Sequence, residues 1–101
     1  MIIGICEDQE EVRADLKKKI ECNSNGYSFE IYEFRSGEEM LDSSIKFDLL
    51  FLDIELAGTV TGLEVAQELQ RRFLDLIIVF VSGYTQYVSS AFRLNTFQFL
   101  L

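Results

Sequence analysis

The chain contains no histidine. That excludes imidazole-based acid–base catalysis and most transition-metal sites, and leaves oxygen ligands, which suit hard cations. Cysteine is scarce: Cys6 falls in a predicted strand and Cys22 near a predicted helix end, at a spacing that matches no redox or zinc motif. A reduced, cytoplasmic protein is the expectation. No apolar run approaches the roughly 20 residues of a bilayer span, and the start lacks the basic segment of a signal peptide, so no membrane association is expected. Bases are outnumbered, nine Lys and Arg against 17 Asp and Glu, for a formal net charge of −8. Such a domain is not expected to grip nucleic acid phosphates itself. Any action on DNA would belong to something attached to it.

What is present is 101 residues, 49% of them apolar, with nine Phe and four Tyr. That is enough for one domain, residues 1–101, around a single modest core. Its organising stretch is Phe47-Asp48-Leu49-Leu50-Phe51-Leu52-Asp53. Four consecutive apolar residues are too few for a helix and do not alternate, which predicts a strand of a parallel sheet covered on both faces. Such a strand delivers Asp53 to the sheet's carboxyl edge, where open α/β folds bind ligands.

Residues 2–6 predict a first buried strand, ending at Glu7-Asp8. From Gln9 to about Cys22, Val12, Leu16 and Ile20 recur at helical spacing among charged residues that include Arg13, which predicts an amphipathic helix. Asn23 to Gly26 is a turn, and Ser28 to Phe34 alternates partly, as an edge strand does. Ser36 with Glu39, and Thr61 with Glu64, fit capping boxes that open two further helices, the second with Leu63, Ala66, Leu69 and Phe73 inward. Leu76 to Val81 predicts a strand stopping at Ser82-Gly83, Thr85 to Arg93 a helix, and Thr96 to Leu101 a fifth strand. The order β-α-β-α-β-α-β-α-β with short links gives a doubly wound α/β domain with a five-stranded parallel sheet.

In that architecture the ends of the first, third and fourth strands converge, bringing together Glu7, Asp8, Asp53 and Ser82. Carboxylates roughly 6 Å apart repel by about 3 kcal/mol per pair at an effective dielectric near 20. Three of them must take up protons or hold a cation. Mg2+, which accepts a few carboxylates, a carbonyl and several waters, fits an all-oxygen site.

Glu7-Asp8, Asp53 and Ser82-Gly83 at those strand ends resemble the receiver domain of two-component response regulators. Asp53-Ile54-Glu55-Leu56, Ser82-Gly83-Tyr84, and Ala91-Phe92 ahead of Asn95 to Phe99 resemble its LytTR-type subclass. The resemblance covers the whole chain and implies a flavodoxin-like strand order, 2-1-3-4-5. It further implies that Asp53 accepts a phosphoryl group from the phosphohistidine of a sensor histidine kinase. Mg2+ would be held by Asp8, Asp53, Glu7 (directly or through water) and the backbone carbonyl of Glu55. Ser82 would contact the phosphoryl group, Gly83 would leave room for it, and Phe99 would be the switch aromatic.

Three departures accompany the resemblance. Ala57 stands where the family has a proline, in a loop one residue longer than usual. The lysine expected after Leu101, and a fifth helix, do not follow. An incomplete receiver, associating as a homodimer or fragment through its fourth-helix and fifth-strand face, is therefore expected.

Three other readings compete. A phosphorylation-independent interaction domain would keep the fold without the switch. An Mg2+-dependent phosphohydrolase of the haloacid-dehalogenase type would want an Asp where Glu55 stands. A flavodoxin-like binding module would want a Gly- or hydroxyl-rich loop where Glu7-Asp8-Gln9-Glu10 stands.

Overall fold

The computed structural model describes residues 1–23, 25–56 and 58–81, together with the backbone of 97–100. Along the chain run β1 (Ile2–Cys6), α1 (Glu10–Cys22), β2 (Glu30–Phe34), α2 (Gly37–Leu41), β3 (Leu49–Asp53), α3 (Gly62–Arg72), β4 (Ile77–Val81) and β5 (Phe97–Leu100). The five strands form one sheet in the order β2-β1-β3-β4-β5, and every neighbouring pair is parallel. This is the predicted order. The predicted fourth helix, Thr85 to Arg93, lies outside the described residues. No helix among the described residues is long and apolar enough to cross a membrane.

β3 and β4 form on apolar runs and β1 on a run broken only by Gly4, and the register of these strands sorts side chains onto two faces. Gly4 and Cys6 of β1 stand beside Leu50 and Leu52 of β3, which stand beside Ile78 and Phe80 of β4. This face carries the main core, filled by Met40 of α2 and by Val65, Ala66 and Leu69 of α3. Right-handed crossovers send α1 to the opposite face, where Ile3, Ile5 and Leu16 are buried. β2 is the predicted edge strand, although its ladder begins at Glu30, two residues later than expected.

Of the two predicted capping boxes, the one at Thr61 forms in full and the one at Ser36 shows its hydroxyl half. The Ser36 hydroxyl accepts from the Glu39 amide at 3.1 Å, and at α3 both halves of the box form between Thr61 and Glu64. The α1 stripe is rotated from expectation. Val12 remains 38% exposed whereas Arg13 is 7% exposed, so the buried side runs through 13 and 16. A guanidinium takes the inward place because two acceptors wait for it, the Glu7 carbonyl and the Glu33 carboxylate.

The link from β3 to α3 closes on itself, with the Gly62 amide donating to the Ile54 carbonyl at 3.1 Å. A Cβ at Gly62 would overlap the carbonyl oxygen of Asp53 and approach Ile54 Cα to 2.7 Å. The helix thus starts directly on the backbone that carries Asp53. Gly26, at φ +84 with open space around it, is glycine for conformational reasons alone. Gly62→Ala is expected to destabilise the fold by about 3 kcal/mol or more, through backbone overlap. Gly26→Ala should cost about 1–2 kcal/mol, from the left-handed conformation alone. Thermal or urea denaturation of the two variants checks the ranking, and equal losses would contradict it.

Candidate functional site

The first and third strands end side by side, Cys6 pairing with Leu52, so the residues just beyond them meet at one edge. Glu7, Asp8 and Asp53 each place a carboxylate oxygen there, and these atoms all lie within 4.8 Å of one another. Three of the predicted site residues are therefore together. At that separation each pair of charges repels by about 3.5 kcal/mol at an effective dielectric near 20.

Glu7 is the most strongly held. Its amide donates to the Phe34 carbonyl of β2 at 3.1 Å. Its carbonyl accepts from Arg13 Nη1 at 2.9 Å, and its Oε1 accepts from the Gln9 amide at 3.0 Å. It is 4% exposed, and burial, opposed by the Gln9 amide and reinforced by the charge on Asp53, pushes its pKa up to about 8. Asp53 is half-buried, and burial likewise raises its pKa against the Glu55 amide, which donates to Oδ1 at 3.0 Å. Together these two acids retain a proton well above the ordinary carboxylate range.

Asp8 contributes a different signal. Its Oδ1 is buried and has no hydrogen-bond partner among the described residues. A buried carboxylate oxygen left without a donor is costly, and a cation among the three acids would satisfy it. The donor set, all hard oxygen, fits Mg2+ or a similar divalent ion. Glu55 has an exposed side chain.

The loop over this edge is braced from α2. Glu38 Oε1 accepts from the Val60 amide at 3.1 Å, and the same carboxylate lies where a Cβ on Gly58 (φ +106) would stand. Neither Arg13 nor Glu38 is singled out by the sequence: Glu38 acts on an amide 22 residues on, and Arg13 on a backbone carbonyl and on Glu33 of another strand, none of which a local pattern marks. An arginine five residues after the second acid, one step off the apolar stripe, is the trace that Arg13 leaves. Ser82 and Gly83 lie outside the described residues. For Phe99 the backbone alone is described: it pairs with Phe80 on β4.

The raised acids make a definite pH dependence. The folded state keeps protons that the unfolded chain releases near pH 4.5, so the stabilisation from this site is fully present below that pH. It is lost as pH rises through about 8. In metal-free buffer the melting temperature should therefore fall between pH 5 and 8.5, with a flatter slope in Glu7→Gln. Identical slopes in the two proteins would show that the proton sits elsewhere.

Among characterised proteins, the chain is similar to the sensory transduction protein LytR of Staphylococcus epidermidis, at 30% identity over 99 residues, 96% of this chain and 38% of that protein. Similarity to the sensory transduction protein LytT of Bacillus subtilis is 36% over 63 residues, 62% of this chain and 25% of that protein. The chain thus spans well under half the length of these relatives. Among solved structures, the response regulatory domain of mrkE from Klebsiella pneumoniae superposes with a TM-score of 0.88 at 28% identity, over 100% of this chain and 82% of that one. The response regulator TrrA from Thermotoga maritima, in complex with Mg2+-BeF, gives 0.83 at 30% identity, over 99% and 86%. The response regulator receiver domain family matches residues 3–101, and the chain belongs to that family.

Proposed function

We propose that this domain is a phosphorylation-controlled signalling switch in which Asp53 takes a phosphoryl group from the phosphohistidine of a sensor histidine kinase. The observation that carries the reading is the meeting of three carboxylates at the ends of β1 and β3 with one buried oxygen, Asp8 Oδ1, left for a ligand.

In the transfer, an Asp53 carboxylate oxygen attacks phosphorus, the P–N bond to the kinase imidazole breaks, and a P–O bond forms. The imidazole leaves as the neutral base after taking up a proton. The charge of the moving group lies on its oxygens, so the domain's work is positioning and charge compensation. Asp8, Asp53, Glu7 and the Glu55 carbonyl would hold Mg2+, which supplies neutralising charge beside the phosphoryl oxygens when bound. The Glu55 amide fixes the rotation of the Asp53 carboxylate. Ser82 would donate to a phosphoryl oxygen, Gly83 would leave space for it, and Phe99 would follow Ser82 as the switch aromatic.

Within this proposal the domain belongs to a longer cytoplasmic regulator of the LytTR type and switches an attached output domain through dimerisation of the receiver; similarity to the sensory transduction proteins LytR and LytT supports the signalling part of that reading. The family is one of signalling domains rather than classical enzymes.

Incubation with acetyl phosphate, read on a phosphate-affinity gel, tests the assignment. Labelling should require Mg2+, vanish in Asp53→Asn, and persist in Glu55→Gln. Asp8→Asn, which removes a direct ligand, should abolish labelling at Mg2+ concentrations that suffice for wild type. Equal labelling of Asp53→Asn and wild type would end the proposal.

A further inference from the structure

We propose that Arg13 is a positioning residue that aims Glu7 and Asp8 at the cation, an inference that rests on the reading of those two acids as metal ligands. Arg13 is one of two buried charged residues among those described, and the other is Glu7 itself. Its guanidinium lies beneath the β1–α1 turn and divides its donors. Nη1 donates to the Glu7 carbonyl at 2.9 Å, and Nε faces Glu33 Oε1 at 3.4 Å. Glu33 belongs to β2, where it pairs with Ile5, and its second oxygen meets Lys17 Nζ at 3.5 Å. A buried guanidinium anchored to a strand in this way is not free to drift.

The consequence runs through the planar peptide bond. The Glu7 carbonyl and the Asp8 amide belong to one rigid unit. Fixing that oxygen from α1 fixes the plane of the unit and limits the directions in which the Asp8 side chain can leave the backbone. The preceding unit is fixed from the other side, by the Glu7 amide on the Phe34 carbonyl. Glu7 is thus clamped between α1 and β2, and Asp8, whose Oδ1 finds no protein donor among the described residues, inherits its aim from that clamp. Lys17 shares Glu33 with Arg13 but has no bond to Glu7, so it marks what a purely structural ion pair does.

Calorimetric titration of the chain with Mg2+, with melting temperatures of the same samples, separates the two roles. Wild type should bind, and Asp8→Asn should not. Arg13→Met should raise the Mg2+ Kd by about 10-fold, in the range found for groups that orient metal ligands. Arg13→Lys, which keeps a charge but not the fork of donors, should fall between them. Lys17→Met should shift the melting temperature and leave the Kd alone. If Arg13→Met does not fold, Arg13→Lys decides, a raised Kd supporting the proposal and an unchanged one overturning it. Unchanged Mg2+ affinity in folded Arg13→Met, beside loss in Asp8→Asn, would overturn the positioning role and leave the cation reading intact. Absence of Mg2+ binding by wild type would overturn both.

Discussion

Three carboxylates within 4.8 Å are unfavourable at any pH where more than one is ionised, and the surrounding structure holds them together against that repulsion. It does so through backbone rather than through opposite charge. β1 and β3 are register neighbours up to Cys6 and Leu52, so the residues beyond them have nowhere to separate. The Phe34 carbonyl and the Arg13 guanidinium fix Glu7 from two elements, and the Glu55 amide fixes Asp53. A site built this way holds its acids close enough that they retain a proton between them.

The same economy extends to the loop after Asp53. Gly62 sits on the Asp53 and Ile54 backbone, and Glu38 reaches from α2 to the Val60 amide. The α2 helix is only five residues long and contributes little as a helix. Its value lies in placing Met40 in the core and Glu38 on the loop. The first of these is hydrophobic burial, and the second joins the core to the functional edge.

How much of this the chain declares in its own order depends on the range of the interaction involved. Apolar runs at Leu49–Leu52 and Leu76–Val81, the Gly4-interrupted run at Ile2–Cys6, and hydroxyl caps at Ser36 and Thr61 are settled by neighbours within four residues, and they read correctly. Asp8 and Asp53 were legible as a pair once the strand order was assumed, since parallel strands must end at one edge. Arg13 was not, because periodicity assigns charges to water, and nothing local shows that a carbonyl and a carboxylate wait below it. Val65 likewise falls outside the apolar pattern of α3 although it is fully buried, whereas Leu63 and Phe73 pack against the core only partly buried. The sheet and α2 together cover a wider arc of that helix than a single apolar stripe suggests.

Cys6, the residue immediately before the two acids, bears on how the edge behaves chemically. Its Sγ lies 3.4 Å from the Ser36 carbonyl, and burial, with the nearby charges of Asp53 and Glu7, pushes its pKa up to about 12. The sulfur remains an uncharged thiol throughout the physiological range, a poor nucleophile and a poor target for oxidants. The sulfur beside the acid cluster therefore adds no further negative charge to it. Cys22, at the exposed end of α1, is the sulfur that reagents from solvent reach first.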